Sequence, residues 1–443
     1  MSDHVVLLSI PGLRARDLAA MPNLGRLATA GEQVTLVPSF PAVTWPVQAN
    51  LLTGKGPAEH GVVANGFYWR DQLEVEMWTA TNDKVGAPQI WDYLHRHDPS
   101  LTSAVWFPML SKQCAADYVC MPAPIHNPDG SESLWCYTKP TELYGELRDE
   151  FGHFPLQHFW GPLAGIQSSA WIADSAAYAA RKFRPNFFYI YLTHLDYAAQ
   201  KSGPDSRAAA AAVAELDELL GRMLPAFEEV FAGERLLWLV ASEYTISPVD
   251  QVTYPNRVLR EAGLLSVRNE AEGDGELIDF AASDAWALAD HQLSHVYVRD
   301  SDPAIVARAA ELFRGRSGFA QVLAGDERAE FDVSHPNSGD VVLISDANSW
   351  QAYYYWLDDA RAPSFARTVD IHRKPGYDPV ELHFDMATKS IPLDATLVKG
   401  SHGAPVSTED AEGVLISSEV GVLLDRATAD TQVADFVLRQ FGV

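Results

Sequence analysis

The chain has 443 residues and a formal net charge of −26. With 47% hydrophobic and 21% charged residues it has ordinary globular usage, which excludes a disordered or fibrous protein. Its acidity disfavours nucleic acid polymers and anionic lipid surfaces as partners, so any anionic substrate must be met by local positive charge or a metal ion.

Val5 to Ile10 is an apolar run that suits a parallel strand buried on both faces. It is too short, and lacks the basic lead, for a signal peptide. Pro11-Gly12 ends it, a helical pattern follows through Leu18, Met21, Leu24 and Leu27, and Val34 to Val37 reads as a second strand. Thr44, two residues before Pro46, marks a helix start. Cys114, Cys120 and Cys136 lack the C-x-x-C spacing of a metal site and read as reduced core thiols, which predicts a cytoplasmic protein. Ser168–Phe183 and Ser206–Glu229 read as amphipathic helices. Asn186–Leu192 and Arg235–Ala241 read as buried strands, ending at His194-Leu195-Asp196 and Ser242-Glu243-Tyr244.

Residues 269–275 are acidic and glycine-rich, a loop. A strand at His295–Val298, a helix at Pro303–Arg314 and a strand at Gln321–Leu323 then form a small α+β unit. The expected organisation is a core over 1–263, an inserted subdomain over 264–332, and the rest of the core with a C-terminal helix over 333–443. The fold class is α/β, with a mostly parallel sheet covered by helices on both faces. No run approaches the ~20 apolar residues of a membrane span. A homo-oligomer is compatible with this reading.

Ligands of open parallel sheets bind beyond the carboxyl ends of the strands. The polar residues placed there are Thr44, His194, Asp196, Glu243 and Tyr244, joined by His402 in the small-residue loop Gly400-Ser401-His402-Gly403. Singly, each also suits a helix cap or a solvated loop. Together they mark one rim.

The segment Phe40-Pro41-Ala42-Val43-Thr44-Trp45-Pro46-Val47-Gln48, with Leu52-Thr53-Gly54 and Pro57 to Asn65, resembles the nucleophile segment of the nucleotide pyrophosphatase/phosphodiesterase branch of the alkaline phosphatase superfamily. The similarity extends to His194-Leu195-Asp196, Gly339 to Leu343 and Gly400 to Gly403. The resemblance implies an alkaline phosphatase-like fold and a Thr44 nucleophile attacking phosphorus. It further implies Asn65 as donor to a phosphoryl oxygen, and two metal ions that clamp the attacking and leaving oxygens.

The chain departs from that pattern in a systematic way. Pro11 stands where the first strand would end in a ligand Asp, Gln200 replaces a His, and Glu243-Tyr244 replaces Asp-His. Asp196, Glu243 and His402 remain as candidate ligands, and His291, in Asp290-His291-Gln292, is the first choice of substitute. If residues 290–298 form one strand, Asp290 and Gln292 share a face opposite His291 and His295. His372, followed by Arg373 and Lys374, is a candidate to meet an anionic substrate. An oxygen-rich donor set favours manganese, magnesium or iron over zinc.

The expected function is therefore metal-dependent hydrolysis of a phosphodiester or pyrophosphate through Thr44, on a small phosphorylated or anionic substrate. Two alternatives stay open. One is a divergent member that binds such a ligand without the two-metal centre. The other is non-hydrolytic acid–base chemistry by Tyr244, His194 and Glu243.

Overall fold

The first apolar run becomes β1 (His4–Ser9), buried along its whole length. Burial on both faces requires neighbours on both edges and a cover above and below. The chain supplies them as β2 (Glu32–Val37), β3 (Ser103–Trp106), β4 (Tyr118–Pro122), β5 (Cys136–Lys139), β6 (Phe187–Tyr191) and β7 (Leu236–Ala241). Four further strands, β8 (Ala285–Asp290), β9 (Leu293–Val298), β10 (Phe319–Ala324) and β11 (Val341–Ser345), form a second sheet. Near the C-terminus, β12 (Gly413–Ser417) and β13 (Ala427–Ala429) return to the first. This computed structural model describes residues 4–126, 132–406, 412–423 and 426–443. Residues 1–3, part of the segment read for a leader, lie outside it.

The central nine-stranded sheet has the order β13-β2-β12-β7-β1-β6-β3-β4-β5. Pairing is parallel from β7 through β4, and antiparallel at β5 and on both sides of β12. This is the expected α/β architecture. Among the helices are α1 (Pro22–Ala30), α2 (Thr44–Thr53), α3 (Ile166–Phe183), α4 (His194–Ser202), α5 (Arg207–Val230), α6 (Pro303–Phe313) and α7 (Val433–Arg439). The two long ones, α3 and α5, pack on each other, α1 and α4 pack on α5, and α7 packs on α2. Ser206 caps α5 by accepting from the Ala209 N–H at 3.1 Å. Among the described residues, no helix is long and apolar enough to cross a membrane.

Two expectations differ from the structure. The second sheet, β8-β9-β11-β10, is antiparallel and includes β11, so a subdomain boundary at 332 cuts through it. An apolar run announces a buried strand but not its pairing partner. Residues 290–298 are also not one strand. His291 and Gln292 are the two-residue turn of the β8–β9 hairpin, with His291 at φ 60°. Turns of this kind favour Gly or Asn at a positive-φ position. The sequence carries neither there, so the run reads as continuous.

Candidate functional site

Ser9 pairs in register with both Tyr191 and Ala241, so the segments leaving β1, β6 and β7 emerge at one edge of the sheet. That edge receives Asp196 from the first turn of α4, and Glu243 and Tyr244 two and three residues past β7. Helix α2 begins at Thr44 and ends at Gly54, at φ 69°. The loop at 400–403 is tied in by the Ala42 N–H, which donates to Gly403 O at 3.2 Å, and by the Gln292 N–H, which donates to His402 O at 2.9 Å. Gly403 sits at φ 116°, and a Cβ there would stand 3.1 Å from Leu293 and 3.2 Å from Val43. Only glycine lets this loop lie so close to both.

These elements assemble a column of rings. The Thr44 and Tyr244 hydroxyls share a hydrogen bond of 3.1 Å. The Tyr244 ring stacks on His402, with centroids 3.6 Å apart and planes 5° apart. His402 meets His291 at 3.9 Å, and His291 stacks on Tyr377 at 3.8 Å. The Tyr377 hydroxyl donates to Gln200 Oε1 at 2.7 Å. Thr44 is thus linked to Gln200 through four rings.

Around the column lie buried carboxyls. Glu243 Oε1 accepts from Ser9 Oγ (2.7 Å), Gln48 Nε2 (2.8 Å) and Tyr189 Oη (3.4 Å). Among the described residues, its Oε2 has no hydrogen-bond partner, nor has Asp196 Oδ1 or His402 Nε2. Burial pushes Glu243 up to about 8 against the pull of Ser9 and Gln48. Burial likewise raises Asp196 to about 6, with Gln200 and His291 opposing. Glu243 then holds its proton near neutrality, which lowers the cost of its unpaired buried oxygen, while Asp196 is drawn only part of the way toward one. His402 is held neutral, because burial drives its pKa well below the usual value and its Nδ1 donates to Ala42 O at 2.8 Å.

Beside the column opens a cavity of about 470 Å³ whose wall includes Thr44, Asp196, His291, His372 and Tyr377. Trp78, Trp135 and Trp160 give it an aromatic side, and Lys112 is its one lysine or arginine among the described residues. Lys374 does not serve it: its Nζ is buried and donates to Asp378 (2.9 Å) and Glu381.

The expected site residues divide accordingly. Thr44, Tyr244, His402 and His291 come together, with Asp196 and His372 on the same cavity. His194 turns away and pairs with Glu215 of α5 at 2.8 Å. Asn65 is fully buried and engaged. Its Oδ1 accepts from the Trp45 N–H (2.9 Å), and its Nδ2 and backbone N–H both donate to Asp290 (3.1 and 2.8 Å). Gln48 was not assigned a role from the sequence, although it stands one helical turn after Thr44 on the same face.

A two-metal centre needs three or more strong donors per ion. Among the described residues, no three His, Cys, Asp or Glu side chains come together to hold one. The expected ligands Asp196, Glu243 and His402, with the Thr44 hydroxyl, offer four donors where two ions need six or more. Tyr244 and Gln200 are committed to Thr44 and Tyr377. The residues present do not fit that centre, even with His291 added.

The profile described as type I phosphodiesterase / nucleotide pyrophosphatase matches residues 5–378. An uncharacterised pyrophosphatase/phosphodiesterase of Schizosaccharomyces pombe is 22% identical over 58% of this chain and 46% of its own length. The match thus spans under half of that curated relative. Phosphonoacetate hydrolase from Sinorhizobium meliloti 1021, solved with phosphonoformate, superposes with a TM-score of 0.62 at 18% identity, covering 98% of this chain and 95% of its own. Human ectonucleotide pyrophosphatase / phosphodiesterase 5 gives 0.63 at 12% identity, covering 99% and 95%. At these identities the structural likenesses speak for the fold.

Proposed function

Because the chain belongs to the type I phosphodiesterase / nucleotide pyrophosphatase family, we propose that it hydrolyses a phosphate diester or pyrophosphate in the cavity beside Thr44, with the Thr44 hydroxyl attacking phosphorus. The observation that carries this reading is the placement of Thr44. It is the first residue of a ten-residue helix, its hydroxyl is held by Tyr244, and it lies on the cavity wall. A helix N-terminus favours the negative charge that gathers on a phosphoryl group.

The wall supports a diester over a monoester. Lys112, His291 and His372 face a cavity that also carries Asp196, Asp378 and Glu381, a balance that suits one negative charge better than two. The three tryptophans suit an apolar or planar substituent on the phosphate. The buried free thiols Cys114, Cys120 and Cys136 support a reducing, cytoplasmic setting.

Turnover of bis(4-nitrophenyl) phosphate tests the proposal. Thr44→Ala should lower kcat by roughly three orders of magnitude. Equal diester affinity with and without the Thr44 hydroxyl, and turnover in neither protein, would identify a binding protein instead.

A further inference from the structure

The cavity beside Thr44 continues into an apolar arm. Its buried wall carries Thr44, Asp196 and His291. Another wall of the same cavity follows the chain outward past the end of β4, from Met121, 6% exposed, to Ile125, 49% exposed. None of Met121-Pro122-Ala123-Pro124-Ile125 carries a side-chain hydrogen-bond donor. We infer that this arm receives an alkyl chain, so that the substrate is an amphiphilic phosphodiester whose phosphate meets Thr44 and whose chain leaves along Met121 to Ile125. The inference deepens the Thr44 reading above and rests on it.

Three observations point to a chain. Single exposed apolar residues are ordinary, but a contiguous exposed patch marks a surface that something covers. Of the ten exposed large apolar side chains among the described residues, five stand in the cavity wall or within two residues of it: Ile125, Leu134, Trp135, Leu163 and Val369. Val369 reaches Gly161 of the wall, where an added Cβ would stand 3.5 Å from its Cγ1. Second, the arm is held open by the fold. Met121 lies opposite Tyr137 in the β4–β5 ladder, the Ala123 N–H donates to Trp135 O at 3.0 Å, and the Trp135 ring packs edge-on against Tyr144 with centroids 4.7 Å apart. Trp135 remains 38% exposed in spite of these ties, so apolar surface is presented to water at a cost that a bound chain would remove. Third, Pro122 and Pro124 also lack a backbone N–H, so the arm is poorly equipped to read the polar edge of a nucleobase.

The occupant is one dispersed amphiphile, not a lipid bilayer. The net charge of −26 repels an anionic membrane surface, and a cavity of about 470 Å³ encloses a single small molecule. Head-first entry brings the charged phosphate to the buried wall. The open end at Ile125 lets the tail pass into solvent, so the cavity does not cap the length of the chain. Because exposure rises along the arm, each further methylene is covered less than the one before it, and the gain from lengthening the chain fades toward Ile125.

Alkyl 4-nitrophenyl phosphates with methyl, butyl, hexyl and octyl chains, used below their micellar concentrations, test the inference. In the unaltered chain kcat/KM should rise by up to about fourfold per added methylene, with the gain in KM, and level off for the longest chains. Ile125→Ser and Trp135→Ala should each lower the octyl-to-methyl ratio of kcat/KM, taken within one protein, by about threefold or more. Calorimetric titration of Thr44→Ala with the same esters reads the arm without turnover. Kd should fall in the same order, with a heat-capacity change that grows more negative with chain length. Equal kcat/KM and equal Kd along the series overturn the arm and leave the hydrolase reading standing. A higher kcat/KM for thymidine 5′-(4-nitrophenyl phosphate) than for the octyl ester also overturns it, as does a chain-length effect seen only above the micellar concentration. No turnover of any ester by the unaltered chain overturns the Thr44 reading, and the Kd series then decides the arm by itself.

Discussion

Glu243 offers the most direct physical test of the site, because its environment ties folding stability to pH. The carboxyl is fully buried, Oε1 accepts from Ser9, Gln48 and Tyr189, and among the described residues Oε2 has no partner. Burial raises it from 4.5 to about 8. Between those two values the folded chain keeps a proton that the unfolded chain has released. Stability therefore falls as pH rises through that window, and levels off above about pH 8. At 1.36 kcal/mol per pH unit the gap is worth roughly 5 kcal/mol, a large share of the ~5–15 kcal/mol that stabilises a domain. Glu243→Gln keeps a carbonyl oxygen for Ser9, Gln48 and Tyr189 and cannot ionise. Urea unfolding of both proteins from pH 5 to pH 9 is the assay. The curves should lie close together at pH 5 and diverge with rising pH until the glutamine variant is more stable by several kcal/mol. Parallel curves across the range would refute a raised Glu243 and the account of its unpaired oxygen.

Two more outcomes follow from the same geometry. Tyr244→Phe removes the partner of Thr44 Oγ1 and keeps the ring on His402, so kcat should drop about tenfold while stability changes by about 1 kcal/mol or less; an unchanged rate removes the hydroxyl from the mechanism. Asp217 of α5 accepts from the backbone N–H of Asn23 (3.1 Å) and Leu24 (3.0 Å), capping the first turn of α1 from outside. Asp217→Ala should cost about 1–3 kcal/mol in urea unfolding and leave the turnover of folded protein intact.

What the sequence made legible was local. Thr44 announced its helix by Pro46, and the strands that carry Asp196 and Glu243 to the sheet edge announced themselves by unbroken apolar runs. What it concealed depends on direction and distance. His194 and Asp196 follow the same strand, yet two residues along α4 turn a side chain by about 200°, so one faces the cavity and the other meets Glu215. Tyr377 joins Gln200 across 177 positions, and no pattern in either segment predicts it. The turn at His291 was hidden because its residues are not those that turns prefer. Asn65 kept its place in the motif, but Asp290 and the Trp45 N–H occupy its amide.

These departures share a logic that isolated substitutions would lack. Removing a metal ligand from a buried site leaves the remaining carboxylates and imidazoles facing one another with no cation between them, at a cost of several kcal/mol for each uncompensated charge. Here the chain removes the charge instead. Burial holds a proton on Glu243 and draws Asp196 toward one, and His402 stays neutral. Tyr244 and Tyr377 bring rings that close the space by stacking and spend their hydroxyls on Thr44 and Gln200. Asp290 keeps a compact set of partners in Asn65 and His291. A site built this way neutralises its buried acids and fills the space between them with rings, while Thr44 stays on the cavity wall.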